Sequence, residues 1–379
     1  MKITSARSAS VLVAALAVQS CNAAPPGPTG AFHHAHVLAT SSQAGTAWTP
    51  AQLQQAYSVP SNQTGLGKTG TIIIVAYHYP AAQSDFNHFG ATYGFPESTL
   101  TIINLAGNVS NSEWAIEEMT DIEMVRAMNQ FTPITVIEAK ANDETDIMAA
   151  IDYANSIASA GSVISMSLGD SEYGEESGAT AFSPKTGTTW VAASGDTTSP
   201  SFPATHPGVI AVGGTTLSSI MPRTETTWTS GGCGLSIAMT KPSFQDGVNA
   251  SNFRAVPDVC LVANPSSGVL VYCSVAGGTL AIGGTSVSTP LFAGIVGLVN
   301  SSRLKASKMP LSSTTTSTNL QLQYALYGLL STNSAQGRDS LYDITQGTGC
   351  ESAAGPGYDI VTGIGSVNVQ PLITYLGSL

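Results

Sequence analysis

The stretch best equipped for chemistry is Gly283-Gly284-Thr285-Ser286-Val287-Ser288-Thr289-Pro290, which precedes the apolar run Leu291 to Val299. Paired glycines let the backbone turn tightly after the apolar segment Val269 to Ile282. Ser286 then falls at the mouth of a predicted helix, and Pro290 suits a first turn, where a missing N–H costs little. A hydroxyl at a helix N-terminus lies in a positive field that favours the anionic intermediates of acyl transfer. The same residues also describe a Gly-Ser-Thr turn capping a buried helix. The motif alone leaves both readings open.

A serine nucleophile needs a base, and histidine is the usual one. Beyond residue 46 the histidines are His78, His88 and His206, and none stands in a His-Gly motif. The acids offer more. Glu113-Trp-Ala-Ile-Glu117-Glu118-Met-Thr-Asp121-Ile-Glu123 places five acids in eleven residues. Glu117 and Asp121 are four apart, so on a helix they share one face. Like charges at that spacing raise the pKa of at least one and leave a shared proton, which suits a general base at mildly acidic pH. A charge run by itself is more often a solvated face. Here Ile116, Met119, Ile122, Met124 and Val125 mark the helix as substantially buried, where unused acids are costly.

Two further acidic turns complete the inventory. Val191-Ala-Ala-Ser194-Gly195-Asp196 is an apolar strand ending in a Ser-Gly-Asp turn. Asp196 there either binds backbone N–H groups of the turn or, protonated, donates to an oxyanion. Near the end, Asp343-Ile344-Thr345 and Ala354-Gly355-Pro356-Gly357-Tyr358-Asp359 offer hard oxygen ligands for Ca²⁺ in a spacing that is not an EF-hand.

These residues need a large scaffold, and 379 residues at 42% hydrophobic and 10% charged supply one. The formal charge of −11 argues against nucleic acid and anionic membranes as partners, and suits an acidic medium. Residues 1–24 read as an export signal: Lys2 and Arg7 are the basic start, Val11 to Val18 the short apolar core, Ala23 and Ala24 the small residues before cleavage. Secretion is the expectation, with lipid anchoring at Cys21 as a weak alternative. Residues 25–46, containing His33, His34 and His36, read as a flexible linker. Cys233, Cys260, Cys273 and Cys350 remain, an even number that predicts two disulfides with three pairings open.

Order is expected from Trp48, with Thr49 capping a helix that starts at Pro50. Strands are predicted at Thr71–Tyr77, Thr135–Ala139, Val163–Leu168, Thr189–Ala193 and Val209–Val212. Helices are predicted at Gln83–Tyr93, Glu113–Asn129, Glu144–Ala158, residues 286–300 and Gln321–Leu330, with Ser302–Asn319 a surface loop. Continuous apolar strands separated by helices indicate an α/β domain whose mostly parallel sheet is covered on both faces.

In this order the motifs resemble the sedolisin family, the serine-carboxyl peptidases. The likeness runs from Trp48 to Leu379. Glu117 with Asp121-Ile122-Glu123 resembles the family's Glu-x-x-x-Asp-Ile-Glu helix, Ser194-Gly195-Asp196 its oxyanion segment, and Gly284-Thr285-Ser286 its nucleophile motif. Ser230 to Gly234, Pro242 to Gln245 and Arg254 to Val259 are similar to its connecting motifs, and Asp343-Ile344 with Gly355, Gly357 and Asp359 to its calcium loop. The resemblance implies a subtilisin-like three-layer fold and endo- or tripeptidyl-peptidase action on proteins or peptides at acidic pH, by a monomer. Ser286 would be nucleophile, Glu117 general base and then acid, Asp121 its orienting partner and Asp196 an oxyanion donor. Ca²⁺ would bind the Asp343 and Asp359 carboxylates and the carbonyls of Ile344, Gly355 and Gly357. Cys233 departs from the family, which often has glycine there; its pairing with Cys350 would clamp that loop, leaving Cys260 for Cys273. The family's long N-terminal prodomain is not expected here, since the residues before Trp48 read as signal and linker. A catalytically silent, calcium-stabilised relative and a neutral subtilisin-type protease are the competing expectations.

Overall fold

The computed structural model describes residues 31–34, 47–174, 182, 187–313 and 321–379. The expected signal, Cys21 and His36 lie outside them, as do residues 25–30 and 35–46 of the expected linker. The strands in chain order are β1 (His33–His34), β2 (Thr71–Ala76), β3 (Leu100–Asn104), β4 (Ile134–Ala139), β5 (Val163–Met166), β6 (Leu168–Ser171) and β7 (Thr189–Ala193). β8 (Ser201–Phe202), β9 (Val209–Ile220), β10 (Arg223–Thr227), β11 (Gly234–Thr240), β12 (Phe253–Val256), β13 (Val259–Val262), β14 (Val269–Cys273) and β15 (Gly278–Ile282) follow. The helices needed here are α1 (Pro50–Ala56), α2 (Ala82–Tyr93), α3 (Ser112–Met128), α4 (Glu144–Ile157) and α5 (Thr285–Lys305).

Eight strands form the central sheet in the order β10-β9-β7-β5-β2-β4-β3, with β13 joined to β9. Every pairing in it is parallel except β10 with β9. β2, β5 and β7 are buried along their whole length, as strands covered on both faces must be. The mostly parallel sheet flanked by helices is the fold expected from the sequence.

Departures from the expected elements have local causes. Thr49 caps α1 together with Gln52 in a reciprocal capping box, as expected. The predicted strand Val163–Leu168 breaks at Ser167, which separates β5 from β6. Pro290 stands inside α5, not in its first turn. Lacking an N–H, it leaves the Ser286 carbonyl four residues back without its helical donor. The stretch expected as a surface loop from Ser302 begins as helix, and Leu311, Ser312 and Ser313 are buried. Asn300 accepts from the Leu311 N–H, and Ser313 donates to the Gly208 carbonyl, which ties that stretch to the core. Within the stretch expected to be linker, His33 and His34 pair antiparallel with Gly169 and Leu168 of β6.

One disulfide forms as expected, between Cys233 and Cys350. The second does not: Cys260 and Cys273 are free and buried. Cys260 lies in β13 of the central sheet, whereas Cys273 ends β14 of a separate hairpin and faces the Tyr79 hydroxyl. Their strands are committed to different sheets.

Candidate active site

Parallel sheets present ligands at the carboxyl ends of their strands, and the expected residues gather there. Ser167 follows β5 and Ser194 to Asp196 follow β7. The chain turns from β15 into α5 through Gly284, whose φ of 119° favours glycine. Gly283 is needed for a different reason, since a Cβ there would sit 2.4 Å from Pro265. Ser286 is therefore delivered to the N-terminus of a 21-residue helix.

α3 lies against α5 along small residues. A Cβ on Gly294 would approach the Val125 carbonyl oxygen to 2.8 Å, and one on Gly297 would meet Asn129 at 3.0 Å. This close packing places the acids of α3 beside the start of α5. Glu117, Glu118, Asp121 and Glu123 are all buried, and only Glu113 of the five is exposed. The solvated-face reading of the charge run does not hold. Glu123 accepts from the Tyr272 N–H at 2.8 Å and so holds the β14 hairpin.

Ser286, Glu117 and Asp121 are each fully buried. Burial first, then the Asp121 charge, push the Glu117 carboxyl well above the usual carboxylate range, and the adjacent Ser286 hydroxyl works against that rise. The Ser286–Glu117 contact is not a closed hydrogen bond: neither Glu117 oxygen meets a partner in bonding geometry, and the Ser286 hydroxyl reaches the Ser167 carbonyl at 3.5 Å. Loose contacts of this kind are common before substrate binds. Burial also drives Asp121 well upward, opposed by a hydrogen bond from the Ser167 hydroxyl at 2.5 Å.

Asp196 sits at the mouth of α5. Its Oδ1 accepts from the Thr285 N–H at 2.7 Å and from the Thr285 hydroxyl at 2.8 Å. An acid in that place is favoured by the helix field. It also lines a cavity of about 170 Å³ bounded by Leu168, Gly169, Asp170, Gly195 and His33. The described side chains of the other histidines are occupied elsewhere. His78 contacts Glu138 at 2.7 Å, His88 stacks on Tyr272, and His206 accepts from the Gly208 N–H.

Two contributors went unnoticed in the sequence, Ser167 and Thr285. Thr285 lies within the nucleophile motif; Ser167 carries the weaker signal of a polar residue closing an apolar parallel strand.

At the C-terminal loop, Asp343 accepts from the Gly357 N–H at 2.9 Å and Asp359 from the Gly355 N–H at 3.1 Å. Both carboxylates thus converge on one turn, with Ile344 buried beside them. Among the described residues no group of three or more His, Cys, Asp or Glu side chains is arranged to hold a metal. The expected set has two carboxylates and draws its other donors from the backbone.

This sheet, with a serine opening its long central helix, defines a subtilisin-like α/β protein. The sequence profile of the subtilase family matches residues 103–349. The chain belongs to that family, and its similarity to kumamolisin and sedolisin supports the sedolisins. It is 28% identical to kumamolisin of Bacillus sp. (strain MN-32) over 373 residues, covering 86% of this chain and 63% of kumamolisin. It is 32% identical to sedolisin of Pseudomonas sp. (strain 101) over 202 residues, covering 48% of this chain and 31% of that protein. The chain therefore spans less than two thirds of either relative. The solved structure of Pseudomonas sedolisin, a serine-carboxyl proteinase complexed with pseudo-iodotyrostatin, superposes with a TM-score of 0.75 at 23% identity. That match covers 88% of this chain and 98% of that one. It carries the fold.

Proposed function

We propose that this chain is a secreted, acid-acting serine-carboxyl peptidase working through Ser286, Glu117 and Asp121 and an acyl-enzyme intermediate. The observation that carries the reading is a serine at the N-terminus of α5 beside two fully buried carboxyls on α3. Ser286 Oγ attacks the scissile carbonyl while Glu117 takes its proton and then passes it to the leaving amine. Asp121 orients Glu117. The tetrahedral oxyanion forms at the mouth of α5, where protonated Asp196 and the Ser286 N–H donate to it. Water then cleaves the acyl-enzyme with Glu117 again as base. A carboxylate base and a protonated aspartate both suit acid and not alkali.

An extended protein or peptide substrate fits as an antiparallel strand on β6, the edge that His33 and His34 take. Ca²⁺ would be held by the loop of Asp343, Ile344, Gly355, Gly357 and Asp359; the support is that two carboxylates, hard oxygen donors, converge on one turn there. Bound, it would neutralise the two carboxylates and hold the loop, which the Cys233–Cys350 disulfide also anchors. A chelator that leaves Tm unchanged would remove calcium from the reading.

The deciding experiment is hydrolysis of denatured protein at pH 3–5 by the wild type, Ser286→Ala and Glu117→Gln. Both variants should lose activity by on the order of 10⁴-fold or more. The second reading, a silent relative, is favoured by the full burial of Ser286. A folded, calcium-loaded wild type without activity would establish it. Activity that survives at pH 8 and vanishes at pH 4 would reject the carboxylate base.

A further inference from the structure

Ser167 touches both halves of the site, although it belongs to neither motif. Its hydroxyl donates to Asp121 Oδ1 at 2.5 Å, and its carbonyl faces the Ser286 hydroxyl at 3.5 Å. Asp121 Oδ2 and both Glu117 oxygens have no hydrogen-bond partner. Among the described residues, then, the Ser167 bond is the one hydrogen bond either carboxyl receives. A buried carboxyl with a single donor depends on that donor for its orientation and its charge.

A serine hydroxyl has one hydrogen to give. The alternative acceptor is the Ser286 carbonyl at 3.4 Å, which Pro290 has left without its helical N–H. The much shorter distance assigns the hydrogen to Asp121. Ser167 itself is rigidly placed. It is fully enclosed, and its neighbours on either side belong to β5, paired with β2 and β7, and to β6, paired with β1 and β8.

We propose that Ser167 is a positioning residue of the peptidase reaction: its hydroxyl holds Asp121 as the charged, oriented partner of Glu117. The proposal rests on the serine-carboxyl reading of this site. The other charged groups near the pair are acids, on α3 itself and on neighbouring elements. Glu118 faces Asp121 from α3 and is itself faced by Glu138 of β4, Asp196 faces Glu117 from the turn after β7, and His78 is paired with Glu138. Asp85 of α2 and Arg126 face Glu123, one turn further along. Among the described residues the charged groups that act directly on the pair are acids, and the Ser167 hydroxyl is what opposes the rise of Asp121.

The sign of the pH effect follows. Every anionic state of the pair that carries charge on Asp121 loses a charge-assisted hydrogen bond in Ser167→Ala, while the fully protonated state loses only a weaker, neutral one. Proton affinity rises, and the acid limb of the kcat/KM profile moves to higher pH. A rise of about one pH unit lowers the rate about tenfold below the limb. KM should stay within about twofold, and Ser167→Thr, which keeps a hydroxyl, should restore the profile.

The experiment compares pH–rate profiles of the wild type, Ser167→Ala and Ser167→Thr, together with carboxyl-carbon NMR titration of Asp121 in the full chain. Support is a limb and an Asp121 titration that both move up in Ser167→Ala and return in Ser167→Thr. An unmoved titration in Ser167→Ala, or equal rate losses in both variants with an unmoved limb, overturns the proposal. The titration needs no catalysis: an inactive wild type rejects the peptidase reading, while the titration still decides whether Ser167 holds Asp121. Should Ser167→Ala not fold, Ser167→Cys, a much weaker donor, must shift the same titration upward or the proposal falls.

Discussion

Two buried acidic sites in this protein are built in opposite ways. Asp258 and Arg254 form an ion pair with both side chains fully enclosed. Asp258 Oδ1 accepts from Arg254 and from the Tyr327 hydroxyl at 2.8 Å, and Oδ2 from Arg254 at 2.7 Å and the Ala211 N–H at 2.8 Å. Both oxygens are satisfied twice. Glu117 and Asp121 are as deeply enclosed, yet among the described residues no cation faces them and three of their four oxygens have no partner. Burying carboxyls in this way costs stability. Satisfied acids hold β12 and the turn into β13 against the sheet, whereas under-satisfied ones keep proton affinities high and free for exchange. Depth of burial alone does not distinguish these two sites; completeness of hydrogen bonding does.

The contrast can be broken from either side. The largest effect is expected at the satisfied site. Arg254→Met leaves Asp258 enclosed and uncompensated, at a cost of about 3–5 kcal/mol. Urea denaturation showing less than about 1 kcal/mol would mean that the pair is not structural. A smaller loss of stability, but a clear loss of activity, is expected where α3 meets α5. Gly294→Val must push the helices apart at the Val125 carbonyl, separating Ser286 from its acids. Overpacking costs about 1–3 kcal/mol, and a displacement near 1 Å about 100-fold in rate. Full activity at wild-type stability would show that this close approach does not position the site.

The smallest effect concerns pH. Burial raises the carboxyls of Glu117, Glu118, Asp121 and Glu123. Between the unfolded and folded pKa values the native state holds more protons, so stability is fully present below the unfolded value and falls as pH rises through that window. Tm should therefore increase on acidification from pH 7 toward 5. Glu118→Gln should raise Tm at pH 7 and leave it unchanged at pH 3. A Tm for Glu118→Gln below that of the wild type at pH 7 would show that Glu118 is a stabilising charge.

Local patterns in the chain were enough to place α3, α5 and the parallel strands. Hydrophobic periodicity and continuous apolar runs report burial directly, and Thr49-Pro50 reports a helix start by its own chemistry. The spacing of Glu117 and Asp121 and the apolar residues around them already implied a buried acidic pair. Other features depended on partners far away in the chain. Ser167 is unremarkable among its neighbours and acquires meaning only because β5 ends beside α3, 46 residues earlier in sequence. The free thiols tell the same story: four cysteines suggested two bridges, but β13 and β14 carry Cys260 and Cys273 into different sheets.

The amino-acid sequence by itself determined which elements form and which residue types they carry, because secondary structure and burial are written in short-range pattern. The tertiary structure decided which of those residues meet. It made Asp258 a satisfied acid and Asp121 a half-satisfied one, because hydrogen-bond completeness depends on donors that arrive from distant elements and are fixed only by packing.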